Sequence, residues 1–276
     1  MKKITCPPPA IKAEVQNRIA QSLAAFQAHF AGQGERPPVN AALYKGAFRE
    51  ALLREFNGKC AYCDRELSAQ LKGDVEHLRP KGRVKDLNGN YVMRKSNPKV
   101  RHPGYWWLAY EWSNLVVVCK ECNTRYKGDK FIVEGDYVEE PGPLDESLLV
   151  HHHNDRIDPI KHFRINDATG SLVPVTPQGE MTCRLLGLNR EVLCEERLDK
   201  LDLASYDVNR LTDPHSENYI KERARRRLLQ LYQHKIPHSY FCKEYIDQQA
   251  RQAQANLHSV IASPSQANPD SVAAQP

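Results

Sequence analysis

The sequence predicts an α+β protein, and three observations carry that prediction. Apolar residues recur at helical spacing near both ends of the chain. Between them lie two short segments of strand character, Val75–Leu78 and Leu115–Val118. Both lie between two C-x-x-C pairs, Cys60/Cys63 and Cys119/Cys122. With 276 residues, 41% hydrophobic and 26% charged, the chain can bury a substantial core without a disulfide framework.

The elements follow in order. Ile11, Val15, Ile19, Leu23, Phe26 and Phe30 mark one face of an amphipathic helix that ends near Gly32-Gln33-Gly34. Leu43, Ala47, Ala51 and Phe56 predict a second helix, stopped by Asn57-Gly58 directly before Cys60. After the Val75–Leu78 strand, Asn88-Gly89-Asn90 and Asn97-Pro98 punctuate a long basic loop. Leu115–Val118 is the strongest strand signal, and a short helix is expected over Cys122–Lys130. Beyond Gly135 comes a Pro/Gly-punctuated stretch, a helical segment Thr182–Leu186 stopped by Gly187, and two or three charged helices from Asn189 to about Asn256. The expected organisation is an N-terminal helical segment (1–56), a central part (57–135), a mostly helical C-terminal region (136–256) and a disordered tail (257–276).

Composition narrows the function classes. No uninterrupted apolar run, Leu115–Cys119 included, approaches the roughly 20 residues of a membrane span. The first ten residues lack the apolar core of a secretory signal, so a cytoplasmic protein is expected and its eight cysteines are read as reduced. Net charge is +5, from 39 basic and 34 acidic residues, but the charge is uneven. Between Arg79 and Arg101 eight basic residues face one acidic, Asp86, and Lys221–Arg227 holds five against one. Such clusters suit a polyanion.

Two C-x-x-C pairs are a common grip on tetrahedral zinc, because each turn presents two thiolates toward one point. Cys60, Cys63, Cys119 and Cys122 would leave no open position on the ion, which makes the site structural. The 55 residues between the pairs exceed the spacing of a simple zinc ribbon, and four core cysteines or one redox pair are the alternatives. Two matched pairs in a chain with only four other cysteines favour zinc.

Inside this clip the order is Cys-x-x-Cys, Glu76-His77, Asn114-Leu115, Cys-x-x-Cys-Asn123 and then Lys127. The order resembles the HNH endonuclease family over about seventy residues, Cys60 to Lys130. Val75–Lys81 and Tyr105–Leu115 look like the PtuB-type HNH subunit of Septu and retron-linked antiphage systems. Leu185-Leu186-Gly187-Leu188-Asn189 is similar to the C-terminal part of that family. The resemblance implies a ββα-metal core with the four-cysteine zinc clip, flanked by helical segments. It also implies an ATPase partner that gates the nuclease, with Asn189–Asn256 as a docking surface.

The chemistry agrees with the roles the resemblance implies. Phosphodiester hydrolysis needs a base for water and a cation for the charge that builds on the phosphoryl and leaving oxygens. His77, neutral near pH 7, is the candidate base. Glu76 and Asn123 match the metal positions, and as oxygen ligands they suit Mg²⁺ or Mn²⁺. Adjacent strand residues point to opposite faces, so the resemblance implies a distorted strand end at Glu76-His77. Asn114 matches the motif Asn that ties the loop beneath the histidine. Arg79, Lys81 and Lys127 are candidate DNA phosphate contacts.

Trp106, Trp107, Tyr110 and Trp112 are read as core packing, Asp64 and Asp74 as solvated acids, and His151–His153 as a loop. The reading is a metal-dependent HNH endonuclease acting on DNA in antiphage defence. Its rivals are a stand-alone restriction or mobile-element HNH nuclease and a non-catalytic zinc module that binds nucleic acid.

Overall fold

A computed structural model describes residues 3, 4, 6–67, 73–144, 147–150, 152 and 158–252. Two helices open it, α1 (Ala13–Phe30) and α2 (Ala41–Glu55), close to the spans that the apolar periodicity predicts. The Asn40 side chain caps α2 by accepting from the Ala42 amide. At its other end Asn57 and Gly58, both at positive φ, turn the chain toward Cys60. Phe26 and Phe30 of α1 stack on Trp106, at 5.9 and 5.4 Å between ring centroids. The aromatic cluster is therefore packing, as its composition suggests.

Strand β1 (Asp74–His77) pairs antiparallel with β2 (Leu115–Val118) in the register Asp74↔Val118 through His77↔Leu115. All four residues of β2 are buried, which is why it reads as a continuous apolar run and not as an alternation. The chain then enters a π-helical turn, Glu121–Lys127, ended by Gly128 at positive φ. The predicted helix is thus present but shorter and wider than an α-helix. Around the hairpin one large core gathers α1, α2, the knuckle residues and the aromatic turns at Trp106–Leu108 and Trp112–Asn114.

The stretch expected as irregular contains a second hairpin, β3 (Phe163–Ile165) with β4 (Leu172–Pro174). Its strands are three residues long, too short to show a period. Asn166 organises the turn between them, its side chain accepting from the Ala168 and Thr169 amides. Four helices follow: α3 (Pro177–Leu186), α4 (Glu191–Thr212), α5 (Asn218–Tyr232) and α6 (Ser239–Gln252). The last three share their own smaller core around Leu201, Val208, Leu228 and Ile246. Gly187 ends α3 at φ +55°, where a Cβ would meet the Tyr126 ring of the π-helical turn at 2.1 Å. That close approach joins the C-terminal region to the hairpin.

Asp64 corrects one sequence expectation: it is buried, not solvated. It pairs with the buried Lys59 at 2.8 Å and accepts from the amides of His238, through its carbonyl, and of Tyr240, through its carboxylate. The first knuckle therefore also holds the start of α6. No helix among the described residues is long and apolar enough to cross a membrane. The predicted tail, 257–276, lies outside the described residues.

Candidate active site and four-cysteine centre

The two C-x-x-C pairs converge. The sulfurs of Cys60, Cys63, Cys119 and Cys122 all lie within 4.8 Å of one another, and all four residues are buried. Local folding explains the convergence. The first pair sits in a tight turn closed by Asp64 at positive φ, with the Asp64 amide donating to the Cys60 carbonyl. The Ala61 amide donates to Val117, which ties that turn to β2, and the second pair follows where β2 ends. The amides of Cys119 and Cys122 donate to the sulfurs of Cys60 and Cys119, at 3.3 and 3.5 Å.

Cys63 and Cys119 lie 3.9 Å apart, far beyond a disulfide bond but close to the edge of about 3.8 Å in a tetrahedron with Zn–S bonds of about 2.3 Å. Hydrogen bonds from its neighbours, Cys122 first, push the Cys119 thiol far down toward thiolate, while burial pushes Cys60 up. One such cluster cannot keep four protons comfortably, and a cation that replaces them removes the conflict. Arg190, at the start of α4, donates to the Cys122 sulfur at 3.6 Å and pairs with Glu121 at 3.4 Å. Nothing in the local sequence marks Arg190 for this place. The cluster is a buried group of four thiols able to hold zinc.

Along β1 of the same hairpin a polar cleft of about 710 Å³ opens beside α2, lined among others by Tyr44, Lys45, Glu76, His77, Lys81 and Asn123. His77, 2% exposed, stands edge-on to the Tyr44 ring at 4.7 Å. Its Nε2 lies 2.9 Å from the Ala109 carbonyl, which can only accept, so Nε2 carries the proton. The Nδ1 lone pair then faces the Lys81 ammonium at 3.3 Å. Burial, reinforced by Lys81, pushes the His77 pKa down to about 3, so the ring is neutral near pH 7. The Ala109 carbonyl is invisible to motif reading, because a backbone group has no residue signature.

Glu76 and His77 keep the ordinary alternation of a strand, and the ladder runs without a bulge through His77↔Leu115. The distorted strand end expected from the resemblance is absent. Both residues border the cleft, as do Asp74 and Val75, so the cleft takes in residues from both faces of β1. The Glu76 carboxylate accepts from Lys127 at 3.0 Å. Asn123 lines the cleft, and among the described residues its side-chain amide has no hydrogen-bond partner.

Asn114, also 2% exposed, uses its whole amide. Its Oδ1 accepts from the Arg79 amide at 2.8 Å, and its Nδ2 donates to the carbonyls of Arg79 and Leu108, at 3.0 and 3.2 Å. It thereby clamps the loop after His77 to the turn that supplies the Ala109 carbonyl. Gly104, at φ +76°, permits the close approach of that turn, since a Cβ there would lie 2.5 Å from the Gly82 backbone.

Two of the three expected phosphate contacts are turned inward. Lys127 is buried and donates to Glu76, to the His77 carbonyl at 2.8 Å and to the Gly128 carbonyl. Arg79 is 3% exposed, donates to the Leu144 carbonyl and lies over the Phe131 ring at 5.3 Å. Charge alone suggested a surface role for both, whereas burial makes them internal braces. Lys81 borders the cleft as expected. His152 packs inward too, its Nε2 on the Ala61 carbonyl at 2.7 Å; His151 and His153 lie outside the described residues.

Among the described residues, the four-cysteine cluster is the only group of three or more His, Cys, Asp and Glu side chains placed to hold a metal ion. The cleft is bordered by the Glu76 carboxylate and the Asn123 amide, and by Asp74 and Asp129, which pair with Lys45 and Arg83. That partial set of hard oxygens fits Mg²⁺ or Mn²⁺, which keep waters and take substrate phosphates as further ligands.

Fold and site together define an α+β protein with a closed sulfur centre and an open polar cleft built on one hairpin. The chain is similar to Septu protein PtuB of Bacillus mycoides (strain KBAB4), 33% identical over 161 residues, which are 56% of this chain and 51% of that protein. It is also similar to Septu protein PtuA of the same strain, 32% identical over 151 residues, 52% of this chain and 19% of that protein. The chain thus spans about half the length of the first relative and about a fifth of the second. No family model matches the chain, and no solved structure matches it.

Proposed function

We propose that this chain is a metal-dependent HNH-type endonuclease of a Septu-type antiphage defence system, cutting DNA phosphodiester bonds and working with an ATPase subunit. One observation carries the reading: a neutral, buried His77, pinned through Nε2 by a carbonyl, turns Nδ1 to a cleft it shares with Glu76, Asn123 and Lys81. The similarity to Septu proteins supports the defence role and the multi-subunit setting.

In this reading 57–135 is the nuclease part, and His77 Nδ1 takes a proton from the attacking water. Lys81 must first leave Nδ1, and an incoming phosphate gives its ammonium a better partner. Glu76 and Asn123 would hold the divalent ion, which supplies charge to the phosphoryl and leaving oxygens when bound. Lys127 holds the Glu76 carboxylate in place until then. Asn114 is a positioning residue, because it touches only backbone. The helices α4 to α6 form the surface for the ATPase, and α5 carries Arg223 and Arg226 exposed beside it.

The test is loss of supercoiled plasmid with Mg²⁺, Mn²⁺ or no added metal, by the chain alone and with its ATPase subunit. His77→Ala should lower the rate at least about 100-fold, the usual contribution of a positioned base. The ion pair that engages Glu76 favours the rival of a non-catalytic zinc module. Tight DNA binding with no metal-dependent cleavage in either preparation would establish that rival.

A further inference from the structure

The basic loop between Arg79 and Arg101 is not uniform. Arg94 and Lys95 are neutralised within the molecule: Arg94 pairs with Glu139 at 3.3 Å and Glu140 at 3.9 Å, and Lys95 pairs with Asp136. A second group gathers on one ring. Around Tyr91 lie Arg101 at 3.9 Å, Lys85 at 5.0 Å and Arg83 at 5.8 Å from the centroid. One carboxylate, Asp129, answers Arg83. Among the described residues Lys85 and Arg101 have no acidic partner.

The backbone holds this group rigidly. Lys85 stands directly opposite Tyr91 and Met93 opposite Arg101, so the cations share one face of a small irregular sheet. Its turn is fixed by Asp86, whose side chain accepts from the Asn90 amide and side chain at 2.8 and 3.1 Å. Lys85 is also locked to the segment after the π-helical turn, donating its amide to Asp129 and accepting from Phe131. Arg83 and Asp129 border both this face and the His77 cleft. Contacts of a cation with a ring near the surface stabilise only weakly. With Arg83 answered by Asp129, Lys85 and Arg101 on the half-buried Tyr91 ring leave a surplus of positive charge next to the cleft and on a fixed frame.

We infer that Arg83, Lys85 and Arg101 around Tyr91 form a phosphate grip that holds duplex DNA alongside the cleft, whereas Arg94 and Lys95 serve only the fold. The inference rests on the nuclease reading and names the surface by which the substrate is held.

The test uses the full, zinc-containing chain and fluorescence anisotropy on a 30-base-pair duplex across a salt series, without added divalent metal. Each lost phosphate contact reduces the slope of log affinity against log salt by about 0.9. Lys85→Gln/Arg101→Gln should therefore flatten the slope by about 1.8 and weaken binding, with an unchanged melting temperature. Arg94→Gln/Lys95→Gln removes the same formal charge and should leave the slope unchanged. Equal losses in the two pairs, or an unchanged slope in the first, overturn the grip. If the parent binds and cuts DNA while the first pair behaves like the parent, only the grip fails. If the parent neither binds nor cuts duplex DNA, the nuclease reading fails with it.

Discussion

The β1–β2 hairpin carries two sites built for opposite purposes, a sulfur site centred beyond its Val118 end and an oxygen site centred on its His77 end. At one end Cys119 follows the last residue of β2, and at the other His77, opposite Leu115, closes β1; four residue steps separate them, about 13 Å at about 3.3 Å per step. The sulfur end is closed: four buried ligands, two amide–sulfur bonds and Arg190 leave no open position. The oxygen end is open, with the Glu76 carboxylate already engaged by Lys127 and the Asn123 amide without a partner among the described residues. A closed ligand set holds a fold together, whereas an incomplete one is finished by what comes to it. One hairpin thus anchors stability and chemistry separately, and the two should be separable by mutation.

The largest effect is expected at the closed end. Cys60→Ser or Cys122→Ser should lose zinc and most of the folding stability, because metal affinity at such sites, about 10–16 kcal/mol, is folding energy. Metal analysis with a thermal melt checks this, and a variant that keeps both its metal and its melting temperature would refute a structural zinc site. Next is Lys127→Met, which strands the mostly buried Glu76 carboxylate and should cost about 3–5 kcal/mol. Adding Glu76→Gln should return much of it; if the double variant is no better than the single one, the pair does not brace the cleft.

Asn114→Ala comes third, at about 3 kcal/mol, since it leaves a buried amide and two carbonyls without partners. Denaturant unfolding measures it, and a loss below about 1 kcal/mol would mean that the clamp is dispensable. The smallest effect concerns His238, where the knuckle meets α6. Burial pushes its pKa down to about 4, against Glu196 at 2.8 Å and Asp64 that favour the charge and Arg197 that opposes it. A folded pKa below the unfolded value of about 6.5 means that this contribution is complete above pH 6.5 and fades as pH falls toward 4. The melting temperature of His238→Gln should accordingly fall less than the parent's across that window.

Much of this contrast was legible in the sequence, and the remainder was not for physical reasons. Helical periodicity located α1 and α2, the fully buried run Leu115–Val118 located β2, and spacing brought the four cysteines together. What spacing cannot express is burial. Arg79, Lys127 and Asp64 look like surface charges in a string of letters, yet each is braced inside by groups remote in sequence, such as Leu144, Glu76 and Tyr240. Backbone partners are equally silent, so the Ala109 carbonyl that fixes the His77 tautomer had no signal. The three-residue strands β3 and β4 were too short to carry a period.

The central claim is that the open end performs chemistry and the closed end does not. The measurement that meets it most directly is the initial rate of supercoiled plasmid loss in Mg²⁺ and in Mn²⁺, for zinc-replete parent and His77→Ala, each with its ATPase subunit. The account predicts cleavage by the parent, a rate at least about 100-fold lower in the variant, and equal zinc content and DNA affinity in both. Equal cleavage rates in the two proteins, or cleavage that follows zinc content and ignores His77, would contradict it.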